Sequence, residues 1–192
     1  MSWRTLETLG WLALYLGFAV FVLIADAMTP LYRAVFVERT TADWLPDADL
    51  TYVPGTTISG VVPSPYFGAG WWPAGAEGRW GRGGRSVLRL RPSADLPAGS
   101  HLRAQLGAFL AASSPATIGI AVNGTTIATL PFEPPGRARA IDLPLPMSLP
   151  AGELVEIVLT DSAPSSPLAA HFGADSAVRG VRLLELSIDP PP

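Results

Sequence analysis

Eighteen consecutive residues, Thr8 to Ala25 (TLGWLALYLGFAVFVLIA), carry no charge. No other feature restricts the fold of this chain as tightly. As an α-helix the run is about 27 Å long, close to the ~30 Å hydrocarbon core of a bilayer. Glu7 and Asp26 bracket it, and Pro30 discourages further helix. Trp3, Trp11 and Tyr32 fall near its ends, where amphipathic rings favour the membrane interface. Residues 8–27 are therefore read as a single transmembrane helix behind a short tail, residues 1–7. The competing reading is a cleaved signal peptide, because Ala25-Asp26-Ala27 has the small-x-small form of a cleavage site. The apolar run exceeds the ~7–15 residues of a signal core, and Glu7 accompanies Arg4 ahead of it, so a retained anchor is preferred.

Arg4 lies on one side of the span, Arg33 and Arg39 on the other. A bare count of positive charges places the C-terminal part inside. The very short leading tail fits a signal-anchor instead, and long domains cross largely regardless of a few charges. The expectation is a single-pass protein of a bacterial inner membrane with a periplasmic C-terminal domain. The span holds no ionisable residue, so it offers no axial ligand and no proton relay. Gly10, Ala13 and Gly17 share one helical face, and small residues there let another helix approach closely. The simpler account is that Gly and Ala are common in membrane helices.

Residues 28–49 read as a connector of mixed charge without a clean period. Asp43, Asp47 and Asp49 lie within it, but without the Gly-centred spacing of a calcium loop. From residue 50 to 188 the pattern is β, as in a sandwich. Ile118, Ile120 and Val122 alternate up to Asn123-Gly124, then Thr125–Leu130 returns; Asn-Gly favours a tight hairpin turn. Leu88 and Leu90 alternate with Arg89 and Arg91, and Leu102, Ala104 and Leu106 with Arg103 and Gln105. Val155, Ile157 and Leu159 form a third run, and Leu184, Leu186 and Ile188 a fourth. Weaker runs cover Thr56–Val62 and Ala138–Leu143. The chain holds 19 Gly and 20 Pro, and the prolines cluster between these runs, where a missing donor is tolerated. Residues 189–192 are a Pro-rich tail. The fold expected is all-β, an antiparallel β-sandwich of jelly-roll type behind one transmembrane helix.

Phe67-Gly68-Ala69-Gly70-Trp71-Trp72-Pro73, then Gly78-Arg79-Trp80 and the strand Val87–Leu90, form a Gly-Trp turn, a Gly-rich loop, a Trp and a strand. With Val122-Asn123-Gly124, Ser166-Pro167, Gly173-x-Asp175 and Gly180–Leu183, this resembles the jelly-roll, carbohydrate-binding-module-like accessory domains of bacterial envelope and glycosyltransferase-associated proteins. The resemblance covers roughly residues 52–188 and leaves out the membrane segment. It departs at Ala177, where the pattern implies an Arg; an anchoring role there is absent or has passed to Arg179.

Candidate chemistry is sparse. Trp71, Trp72 and Trp80, with Arg79 and Arg82, are the residues for a glycan or partner contact, since flat indole faces stack on sugar rings. The alternatives are indoles packed in the core with their N–H groups on backbone carbonyls, and a protein or membrane-surface contact. Arg79, Arg82 and Arg85 lie in a short RGG-like run, for which pairing with Glu77 or a lipid headgroup is expected. The net charge of −3 argues against nucleic acid as a partner. No Cys is present, which removes disulfides, thiolate zinc sites and thiol nucleophiles. His101 and His171 lack metal-ligand spacing. Ser162, Ser165 or Ser176 with His171 and Asp175 is the one nucleophile grouping available, and no G-x-S-x-G elbow supports it. No cofactor and no enzymatic activity are expected. The leading expectation is a non-catalytic accessory or scaffold subunit of a larger membrane complex, energy-transducing or polysaccharide-synthesising. Its partners are other membrane subunits and the lipid bilayer. The alternative is a membrane-tethered glycan-binding module with polysaccharide as ligand.

Overall fold

The structure is a computed structural model that describes residues 49–110, 115–171 and 173–191. The expected transmembrane helix, its packing face Gly10, Ala13 and Gly17, and its interface residues Trp3, Trp11 and Tyr32 lie outside the described residues. So does the connector up to residue 48. Among the described residues no helix is long and apolar enough to cross a membrane.

The described chain is a two-sheet sandwich of ten strands. They are β1 (Thr51–Tyr52), β2 (Ile58–Ser59), β3 (Arg79–Trp80), β4 (Arg85–Pro92), β5 (His101–Ala108), β6 (Ala116–Val122), β7 (Thr125–Phe132), β8 (Arg139–Pro144), β9 (Val155–Asp161) and β10 (Val181–Asp189). The first sheet has the order β1-β4-β9-β6-β7. The second has the order β2-β10-β5-β8, with β3 also paired to β10. From β4 onward the chain alternates between sheets, except at the β6–β7 hairpin. Every ladder is antiparallel but the short β1–β4 pair, which is parallel.

The core follows from the period-two patterns. Leu88, Leu90, Ile118, Ile120, Ile157 and Leu159 of the first sheet face Leu102, Leu106, Leu183, Leu186 and Ile188 of the second, all fully buried. Each such side chain contributes about 1.5–3 kcal/mol by leaving water. Asn123 and Gly124 both take positive φ, 48° and 81°, so the hairpin closes as the two-residue turn that Asn-Gly favours.

Two strand expectations need correction. The last strand is out of phase with the expected alternation: Leu183, not Leu184, is buried with Leu186 and Ile188. A register shift against β5 between Leu183 and Glu185 reverses the parity of the strand midway. The expected run Thr56–Val62 shrinks to Ile58–Ser59. A turn at Val53–Thr56 precedes it, and Pro63 follows soon after.

The exposed edge of β4 is covered by the segment Tyr66–Gly70. Arg89 N–H donates to the Tyr66 carbonyl (2.8 Å), Gly68 N–H to Val87 (2.8 Å) and Val87 N–H to Ala69 (2.9 Å). Gly70 (φ 83°) ends this segment beside the Arg85 carbonyl, where any Cβ would collide. That turn sends the chain into the tryptophans. At the far side of each sheet, β7 and β8 are the end strands among the described residues.

Candidate binding faces of the sandwich

The tryptophans gather with arginines from three segments. Trp71 is buried, its edge against Phe67 at 5.3 Å, and its Nε1–H donates to the Val87 carbonyl (2.7 Å). Trp72 is half-buried and its Nε1–H donates to the Val178 carbonyl (2.8 Å). Trp80 meets Phe109 edge-on at 5.9 Å. Guanidinium groups lie over the rings: Arg79 over Phe67 (4.0 Å), Arg82 over Trp72 (4.3 Å), and Arg182 and Arg179 near Trp80 (5.1 and 5.7 Å). A cation over a ring face is attracted by the quadrupole and desolvates that face. Both tryptophans of the Trp71-Trp72 pair thus spend their N–H groups on backbone, and Trp72 has a face under an arginine.

The salt bridges differ from those expected of the Arg run. Glu77 lies 3.6 Å from Arg182 of β10. Arg85 instead joins Arg89 at the two oxygens of Glu156 on β9, at 3.2 and 3.3 Å. Arg79, on β3, is nearly buried, and its Nη2–H donates to the Val62 carbonyl (3.3 Å). It lines a groove of about 460 Å³ with Pro63, Ser64, Pro65, Pro73 and Ala74.

A second groove, of about 410 Å³, runs over the outer face of the second sheet. Thr57, Arg103, Ala140, Asp142, Glu185 and Ser187 line it. The ladder register sets Arg103 opposite Asp142 on one side and Ser187 on the other. Arg103 Nε lies 3.1 Å from Asp142 Oδ2, and its Nη1 lies 3.1 Å from Asp189 Oδ2. His101 Nδ1 is 2.6 Å from Asp142 Oδ1. The hydrogen bond from His101 first, and Arg103 after it, hold the Asp142 carboxyl below the usual carboxylate range. Glu185 is exposed and forms no ion pair among the described residues. None of these groove residues stood out in the sequence. The only signal was that the polar side of the β5 alternation must meet water or a ligand.

The remaining candidates are accounted for locally. Asp175 accepts from Arg179 Nη2 (2.7 Å) and from the Ala177 N–H (2.8 Å). His171 is exposed with a positive φ of 60°. Ser162 Oγ accepts the Thr117 N–H (2.9 Å). Asp49 accepts the Thr51 N–H (2.9 Å), and the Thr51 side chain first, with this N–H after it, lowers its pKa. Among the described residues no group of three or more His, Asp or Glu is placed to hold a metal. Asp161 is buried with Oδ2 unpartnered, and burial raises its pKa.

No protein-family model matches the chain, and no curated protein does. Several solved structures follow a similar course. Dimeric latent PorU from Porphyromonas gingivalis matches at a TM-score of 0.45 and 13% identity, over 69% of this chain and 12% of that one. The chain thus spans about an eighth of that protein's length. A family 6 carbohydrate-binding module from Clostridium stercorarium, in complex with cellobiose, matches at 0.40 and 11% identity, over 73% of this chain and 97% of that one. A family 36 carbohydrate-binding module in complex with calcium and xylotriose matches at 0.40 and 12% identity, over 70% and 99%.

Proposed function

We propose that this chain is a non-catalytic, membrane-tethered binding module that takes a neutral glycan along the outer face of its second sheet. The observation that carries the reading is the groove over Arg103, Asp142, Glu185 and Ser187. A sugar presents many hydroxyls, each both donor and acceptor. This groove offers a guanidinium fixed between two carboxylates, a free carboxylate, and the hydroxyls of Thr57 and Ser187. Its charges are mostly paired with one another, which favours a neutral polyol over an ion. Fixed partners lower the ordering cost on binding. The apolar run Thr8–Ala25 supplies the tether.

The test is titration of the full chain, in detergent micelles, with a panel of neutral oligosaccharides followed by calorimetry. Saturable binding is expected, with Arg103→Ala weakening it about tenfold or more. Absence of binding across the panel, or equal binding by Arg103→Ala, sinks the reading.

A second reading is an accessory subunit of a larger membrane complex. The exposed Val53, Val61, Val62 and Val178 favour it, since a partner would cover such side chains. Purification from the native membrane in mild detergent separates the two. Stoichiometric companion subunits support the second reading, and a lone chain that binds polysaccharide supports the first.

A further inference from the structure

Arg79 stands in an unusual setting. It is about nine-tenths buried, its guanidinium rests on the Phe67 ring at 4.0 Å, and its Nη2–H reaches only the Val62 carbonyl at 3.3 Å. Its Nε–H is buried without a partner. No carboxylate among the described residues lies within ion-pairing distance of it. Burial lowers its pKa, yet a guanidinium keeps its charge at any physiological pH. A permanent cation is therefore held at the surface of the core with one neutral oxygen and an aromatic face for company, and no counter-charge among the described residues. Buried charges are ordinarily paired.

The walls beside it are of a different kind. Pro63, Pro65, Pro73 and Ala74 line the groove, and the exposed Val61 and Val62 adjoin it in sequence. Proline carries no N–H, so these walls offer almost no donors of their own. The Ser64 hydroxyl accepts the Tyr66 N–H at 3.3 Å. A polyhydroxylated ligand would leave most of its hydroxyls unmatched here. An apolar ligand with a single anionic group would match both the walls and the floor.

We infer that this groove docks a carboxylate presented by an extended, apolar segment of a partner protein. The acidic side chain meets Arg79, and its apolar neighbours lie along the prolines and Ala74. Charge complementarity fixes the register, and the proline walls exclude water around a charge-assisted bond. Pro63 and Pro73 are exposed, so the groove is shallow and suits one or two side chains better than a lipid tail. The groove is distinct from the glycan face, and neither inference depends on the other.

The test uses the full chain in detergent micelles and a C-terminally amidated peptide, Val-Pro-Glu-Pro-Val, carrying an uncharged BODIPY label and read by fluorescence anisotropy. The same peptide with Gln in place of Glu is the control. The Glu peptide is expected to bind saturably, and the Gln peptide about tenfold more weakly or worse. Arg79→Lys keeps the charge but loses the planar fork, and weakens binding severalfold. Arg79 supports the core, so a second variant guards against misfolding. Ala74→Glu places a carboxylate on the groove wall, outside the core, and abolishes peptide binding with the thermal midpoint retained. Equal affinity for the Glu and Gln peptides overturns the inference. So does peptide binding that survives Ala74→Glu, and so does saturable binding of sodium decanoate but not of the peptide. Oligosaccharides are titrated separately on the same preparation, so failure of either proposal is read independently.

Discussion

Arg103 and Asp142 face each other across the β5–β8 ladder, Nε to Oδ2 at 3.1 Å, and His101 closes on the other carboxylate oxygen. Both Arg103 and Asp142 are exposed, so the pair is screened and orders the face more than it stabilises the fold.

Asp142 makes the sandwich more sensitive to acid. Its folded pKa lies below the ordinary value, through His101 and Arg103. Its contribution is therefore complete above the unfolded carboxylate range and is lost as pH falls through the folded value. Asp142→Asn should lower the thermal midpoint at neutral pH, and the difference should close in acid. Thermal unfolding from pH 7 to pH 3 checks this.

Asp161 should behave in the opposite sense. Burial raises its pKa, so the folded state favours the protonated form. That preference stabilises below the unfolded pKa and is lost as pH rises through the folded one. Its Oδ1 accepts the Ala163 N–H (2.9 Å), while its Oδ2 is buried without a partner. Asp161→Asn is expected to stabilise the domain by about 1 kcal/mol at pH 7 and by less at pH 4. Urea unfolding at both pH values measures it.

Trp71 and Trp72 are neighbours with different burdens. Trp71 is buried, packs on Phe67 and bonds the Val87 carbonyl. Trp71→Ala should cost about 3–5 kcal/mol. Trp72 is half-buried, and Trp72→Ala should cost clearly less. Equal losses in urea unfolding would contradict the packing described.

Gly70 admits no side chain. Its φ is 83°, and a Cβ would strike the Arg85 carbonyl. Gly70→Ala should destabilise by about 2–4 kcal/mol, because the obstructing atom is backbone and cannot step aside. Gly152, also at positive φ but with nothing nearby, is the control: Gly152→Ala should cost only about 1–2 kcal/mol.

Much of this architecture was legible in the chain. The Asn123-Gly124 hairpin and the alternation of β4, β5, β6 and β9 were readable, because one buried face per strand fixes a period of two. Leu184 was misread because a bulge is set by the partner strand, not by local pattern. The faces were harder. Arg103, Asp142 and Glu185 stand far apart in sequence, and only ladder register gathers them. Arg79 stands out in the sequence as a candidate glycan or partner contact and within an Arg run expected to pair with Glu77 or a lipid headgroup. The fold gives Glu77 to Arg182 and seats Arg79 on Phe67.

The end strands β7 and β8 bear on how a second chain can join this one. Pro131 sits within β7, opposite Thr117, and Pro144 ends β8. A proline on an edge withholds the N–H that an incoming strand would need. Growth by strand addition, whether into aggregates or onto a partner's sheet, is thereby discouraged at both rims. Recognition is left to side chains on the faces and grooves, where it can be selective.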